Sequence, residues 1–61
     1  MIDLKNLRES KGYTQEALAD AISKTRTLIT NIENGISKPS VSTAKEIAKI
    51  LDFDWVLFFE D

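Results

Sequence analysis

The chain contains neither cysteine nor histidine. No disulfide can form, and zinc sites built on thiolates and imidazoles are excluded. Catalytic triads that need an imidazole base are excluded with them. Glycine occurs twice and proline once, so each marks a place where a regular element is interrupted. No apolar run approaches the roughly 18 residues of a membrane span. The N-terminal stretch MIDLKNLRES is amphipathic and lacks the apolar centre of a signal peptide. No glycine-rich phosphate loop or nucleophile motif is visible, which makes an enzyme the weakest reading. Basic residues are also missing from one end: residues 50–61 carry Asp52, Asp54, Glu60 and Asp61 and no Lys or Arg.

What remains is compatible with a small folded domain. The 61 residues are 43% hydrophobic, ordinary for a globular chain. At this length only about 60% of the unfolded surface is buried on folding, so the domain is marginal. One domain over residues 1–61 is expected, soluble and cytoplasmic, with no cofactor, no metal and no small-molecule ligand. The net charge of −2 argues weakly against nucleic acid. Its distribution argues otherwise: residues 1–49 hold all eight bases against six acids. Binding depends on charge near the contact face rather than on the sum.

The pattern predicts five helical segments and no strand. Asp3 can cap a first helix that carries Leu4 and Leu7 on one side and closes at Lys11, with Gly12 as its stop. Thr14 is a good N-cap for a second, in which Ala17, Leu18, Ala21 and Ile22 follow helical spacing. Ala19 is small enough to let another helix cross closely. Ser23-Lys24 break the pattern, and Thr25 caps a third helix ending at Gly35. Pro39 disfavours helical geometry at Lys38. Ser40 then begins a fourth helix with Ala44, Ile47, Ala48 and Leu51 as its stripe, and Asp54 caps a final turn, Trp55 to Phe59.

The third helix has two distinct faces. At about 100° per residue, Arg26, Thr27, Thr30, Asn31 and Asn34 share one side, and Leu28, Ile29 and Ile32 the other. Glu33 lies at the border. A solvated face is usually rich in Glu, Lys and Gln, which favour helix more than Thr and Asn do. Arg, Asn and Thr are, however, residues that read base edges in the major groove. Two short helices joined by a tight turn, the second presenting such a face, follow the plan of a helix-turn-helix at about residues 14–34.

The combination Leu7-Arg8, Gly12, Thr14-Gln15-Glu16, Leu18-Ala19, Thr25-Arg26, Ile29, Ile32-Glu33-Asn34-Gly35, Pro39-Ser40 and Ile47-Ala48 resembles the phage-repressor and Cro (XRE-type) helix-turn-helix domains. The match spans about residues 2 to 52. The resemblance implies a compact all-α bundle of about five short helices, lambda-repressor-like, that binds double-stranded operator DNA, usually as a homodimer on a palindrome. It places Arg26, Thr27, Thr30 and Asn31 at base-reading positions. Gln15, Asn34 and Lys38 fall at phosphate-contacting positions, with Gln15 also buttressing the first base contact. Arg8 and Glu33 match a structural salt bridge between the first and third helices.

Two positions depart from the family pattern. Ser23 stands where glycine is usual at the turn, which predicts backbone strain. Lys24 stands where an apolar residue usually fills a small slot, and is expected to point toward phosphate instead. In the tail, Trp55, Val56, Leu57, Phe58 and Phe59 are consecutive, and a short helix at about 54–59 cannot hide them all on one side. Trp55 and Phe58 would cap a small core. Trp55, Phe58 and Phe59 are also the candidates for a self-complementary dimer patch. Two functions follow: a sequence-specific transcriptional regulator, expected to be a repressor, or a protein-interaction module of antitoxin or antirepressor type that reuses the fold.

Overall fold

The computed structural model describes residues 2–60. Among them are four α-helices, α1 (Leu4–Ser10), α2 (Gln15–Ala21), α3 (Arg26–Glu33) and α4 (Val41–Leu51), followed by a 3-10 turn at Trp55–Phe59. The last segment is therefore not a fifth α-helix. It is only five residues long, too short for the α-helical hydrogen-bond pattern to outcompete the tighter one. No strand occurs among the described residues, and none of their helices is long and apolar enough to cross a membrane.

Every element starts on a side-chain cap. Asp3, Thr14, Thr25 and Ser40 each accept from the backbone N–H three residues on, at 3.0–3.3 Å. Asp54 accepts from the Val56 N–H at 3.1 Å. Each such cap satisfies an N–H that the helix itself leaves without a partner.

The α-helices also stop in one way. Gly12, Ser23, Gly35 and Asp52 all have positive φ, at 80°, 57°, 74° and 59°. The N–H of the next residue then bonds back across the last turn, from Tyr13 to Arg8, Lys24 to Ala19, Ile36 to Asn31 and Phe53 to Ala48, at 2.9–3.1 Å. This left-handed stop costs glycine nothing and costs a residue with a Cβ. Ser23 thus carries the strain expected of it. Asp52 carries the same strain, which nothing in the sequence signalled.

The core contains Leu4, Leu18, Ala19, Ile22, Ile29, Ile32, Ala44, Ile47, Leu51 and Phe58. On α2 and its C-cap the buried set is Leu18, Ala19 and Ile22, whereas Ala17 and Ala21 are exposed. The apolar stripe read from the sequence is therefore rotated by one residue. α2 is wedged between α3 and α4, and the flank carrying Ala17 and Ala21 is the one left outside. Phe58 is only 4% exposed and meets Phe53 edge-to-face at 5.4 Å. It belongs to the core, and this corrects its candidacy for a dimer patch. Trp55 is half-buried, with Lys45 Nζ 5.1 Å from its ring centre.

Candidate nucleic-acid interface

α3 divides as its sequence requires. Ile29 and Ile32 are buried. Arg26, Thr27 and Asn34 are exposed, and Thr30 and Asn31 are half-buried. Lys24, just before α3, and Lys38, in the loop after it, are both exposed. Gln15 opens α2 and is half-buried against α3. The backbone N–H of the exposed Lys24 closes the α2 stop onto the Ala19 carbonyl at 2.9 Å.

Behind this face runs a polar chain that links α1, α2 and α3. Arg8 Nε donates to Glu33 Oε2 at 2.6 Å, and Arg8 Nη2 donates to Oε1 at 3.3 Å. Arg8 Nη1 donates to the Tyr13 carbonyl at 2.7 Å. The ion pair is almost fully enclosed, with side chains 8% and 3% exposed. The hydrogen bond to Glu33 holds the guanidinium above its ordinary pKa, outweighing burial, which acts the other way. A raised pKa means this contribution to stability is lost only as pH rises through the folded value. Arg8 therefore stays charged wherever the fold persists.

Gln15 extends the chain to the surface. Its Nε2 donates to Glu33 Oε1 at 3.0 Å. Its Oε1 accepts from Thr30 Oγ1 at 3.0 Å and from Arg26 Nε at 3.4 Å. Thr30 Oγ1 also lies 3.1 Å from the Arg26 carbonyl, so its one hydroxyl hydrogen is shared within the protein. Arg26 is exposed and meets Gln15 through Nε alone, so that no hydrogen bond engages its Nη1 or Nη2 among the described residues.

The residues named from the sequence thus fall into two groups. Gln15, Arg26 and Thr30 are joined to one another, and through Glu33 to Arg8. Thr27, Asn31, Asn34, Lys24 and Lys38 make no side-chain hydrogen bond among the described residues. Sequence reasoning missed the Gln15–Glu33 bond and the role of the Tyr13 carbonyl. Gln15 and Glu33 are 18 positions apart, beyond any local spacing rule. An open concavity lined by Arg8, Glu9, Gly12, Tyr13, Thr14, Gln15, Glu16 and Arg26 adjoins this network. Among the described residues no group of acids could hold a metal ion.

Comparison with known proteins bears on the family and the fold. The Helix-turn-helix family model (HTH_3) matches residues 4–58. An uncharacterized HTH-type transcriptional regulator of Bacillus subtilis (strain 168), YqaF, is 52% identical over 58 residues, covering 95% of this chain and 76% of the relative. The crystal structure of an HTH_3 family transcriptional regulator from Vibrio cholerae superposes with a TM-score of 0.76 at 35% identity. That match covers 93% of this chain and 32% of the Vibrio chain, so this chain spans about a third of that longer protein. A family match over nearly the whole of α1 to the 3-10 turn, on a chain whose second and third helices are set as described, leaves one conclusion: the chain belongs to the helix-turn-helix family.

Proposed function

We propose that the protein is a sequence-specific, double-stranded-DNA-binding transcriptional regulator, acting as a repressor, that reads the major groove with α3. The observation that carries this reading is the outward face of α3. Arg26 there is anchored by Nε to Gln15, with its fork free. An anchored fork suits bidentate contact with guanine. Thr27 and Asn31 flank it as further base readers, and the methyl group of Thr30 is its share of that surface. Lys24, Asn34 and Lys38 contact phosphate, with the second Nε2 hydrogen of Gln15. This reading assigns no catalytic role.

The protein acts as a homodimer on a palindrome. Val56, Leu57 and Phe59 are 39%, 37% and 37% exposed, which supplies apolar surface beyond the needs of the core. A symmetric pair would set two α3 helices about 34 Å apart, one turn of DNA. The same exposed tail supports a second reading, a protein-interaction module. In that case Trp55→Ala weakens partner binding and Arg26→Ala changes nothing. Selection from a random duplex pool with the purified protein separates the two. An inverted repeat with half-sites about one turn apart supports the regulator. Recovery of no sequence above background, from protein shown to be folded by circular dichroism, rejects it.

A further inference from the structure

We infer that Glu33 is a positioning residue for DNA specificity, acting through Gln15 on Arg26, as well as the partner of Arg8; this rests on the reading that Arg26 contacts a base. The argument is one of donor and acceptor polarity. A carboxylate such as Glu33 can only accept, so the Gln15 amide must turn its nitrogen toward it, at 3.0 Å. That forces the amide oxygen toward α3. There it meets Arg26 Nε, which can only donate, and the Thr30 hydroxyl. Both ends of the amide are thereby fixed by groups of a single polarity.

The consequence reaches the surface. Gln15 without Glu33 is free to rotate its amide by a half turn. Its nitrogen would then face Arg26 Nε, donor against donor, and Arg26 would leave that position. The nearly enclosed ion pair with Arg8 holds the Glu33 side chain in place. Buried charge in α1 is thus transmitted, through two side chains, to the orientation of an exposed guanidinium on α3. Arg8 and Glu33 never need to touch DNA for this to matter.

The test compares discrimination with plain affinity. Glu33→Gln keeps the side chain's size and offers a carbonyl to Arg8, but no longer dictates which end of the Gln15 amide it meets. Discrimination at the one base pair read by Arg26 is expected to fall roughly tenfold, the scale of coupling between groups in one network. Binding to an unrelated duplex should fall by less than that, because the only phosphate contact disturbed is the one from Gln15. In an Arg26→Ala background, Glu33→Gln should have no further effect at that base pair. Equal losses on all sequences, or full additivity with Arg26→Ala, would overturn the proposal.

Should Glu33→Gln fail to fold, Arg8→Met combined with Glu33→Leu removes both charges and leaves no buried ion without a partner. That double variant should retain its fold and lose the same discrimination; retaining it would also overturn the proposal. The Arg26 Nε–H resonance of the free protein separates this claim from the DNA reading. A shift on Glu33→Gln supports the link even where no operator is found, and an unmoved resonance refutes the link whatever DNA is bound.

Discussion

Ser23 and Gly35 occupy the same kind of site with opposite chemistry. Both residues have left-handed backbones, at φ 57° and 74°. A Cβ there costs on the order of 1–2 kcal/mol, and glycine gives back part of that through its freer unfolded chain. Ser23→Gly should therefore stabilise the protein by about 0.5–1 kcal/mol, and Gly35→Ala should destabilise it by a similar amount. The loss at Gly35 would come from backbone strain alone, because no atom lies within 4 Å of an added Cβ. Thermal melts of the two variants check both signs; a destabilised Ser23→Gly would contradict the strain. Arg8 is a residue of another kind. Removing it leaves the Glu33 carboxylate buried without its cation, a loss of about 3–5 kcal/mol. A chain of this length has roughly 3–9 kcal/mol in total. Arg8→Ala should thus be largely unfolded in urea concentrations that leave the unsubstituted protein intact.

At the scale of the element, α3 depends on its ends and its surroundings more than on its own composition. It has eight residues, too few to be stable alone. Its Thr25 cap should be worth about 1 kcal/mol. Thr25→Ala should lower the melting temperature by roughly 4–8 °C, the shift that such a change makes in a domain this small. On the same element, Arg26→Ala should cost about 1–3 kcal/mol on the operator and relax selectivity at one base pair. Lys38→Ala should weaken all duplexes alike and reduce the salt slope by about one. Titrations at several salt concentrations distinguish these, and a uniform loss for Arg26→Ala would remove its base-reading role. The elements were legible in the sequence because their signals are local: a capping Asp, Thr or Ser begins each, and Gly12 and Gly35 end two of them. The left-handed Asp52 was not legible, because a helix that ends without glycine leaves no local sign. Ala19 was legible as a point of close helix crossing, but the exposure of Ala17 and Ala21 was not. Periodicity finds a stripe, but only the neighbouring helices decide its centre. The Gln15–Glu33 bond depends on α2 and α3 being docked, so sequence spacing could not find it.

At the scale of the whole molecule, the core and the tail compete for the same aromatic residues. Phe58 goes inward and is 4% exposed, while Leu57 beside it is 37% exposed. A five-residue 3-10 turn cannot turn both toward the core, because its side chains repeat every three positions. Folding therefore fixes which residues remain for a partner. Val56, Leu57 and Phe59 gain nothing more from the monomer, yet their exposure is a solubility cost unless something covers them. If a second copy does so, Leu57→Glu places like charges against each other across a twofold axis, since the same patch serves both subunits. The fold should survive, because Leu57 lies outside the core cluster. Sedimentation equilibrium should show the variant shifted toward monomer. Affinity for a palindrome should fall by on the order of 100-fold, while affinity for an isolated half-site stays the same, because only the linkage of two binding events is lost. A variant that remains as dimeric as the unsubstituted protein, or loses half-site and palindrome binding equally, would take the tail out of the dimer interface. The apolar surface would then be left to a different protein, as the interaction-module reading requires.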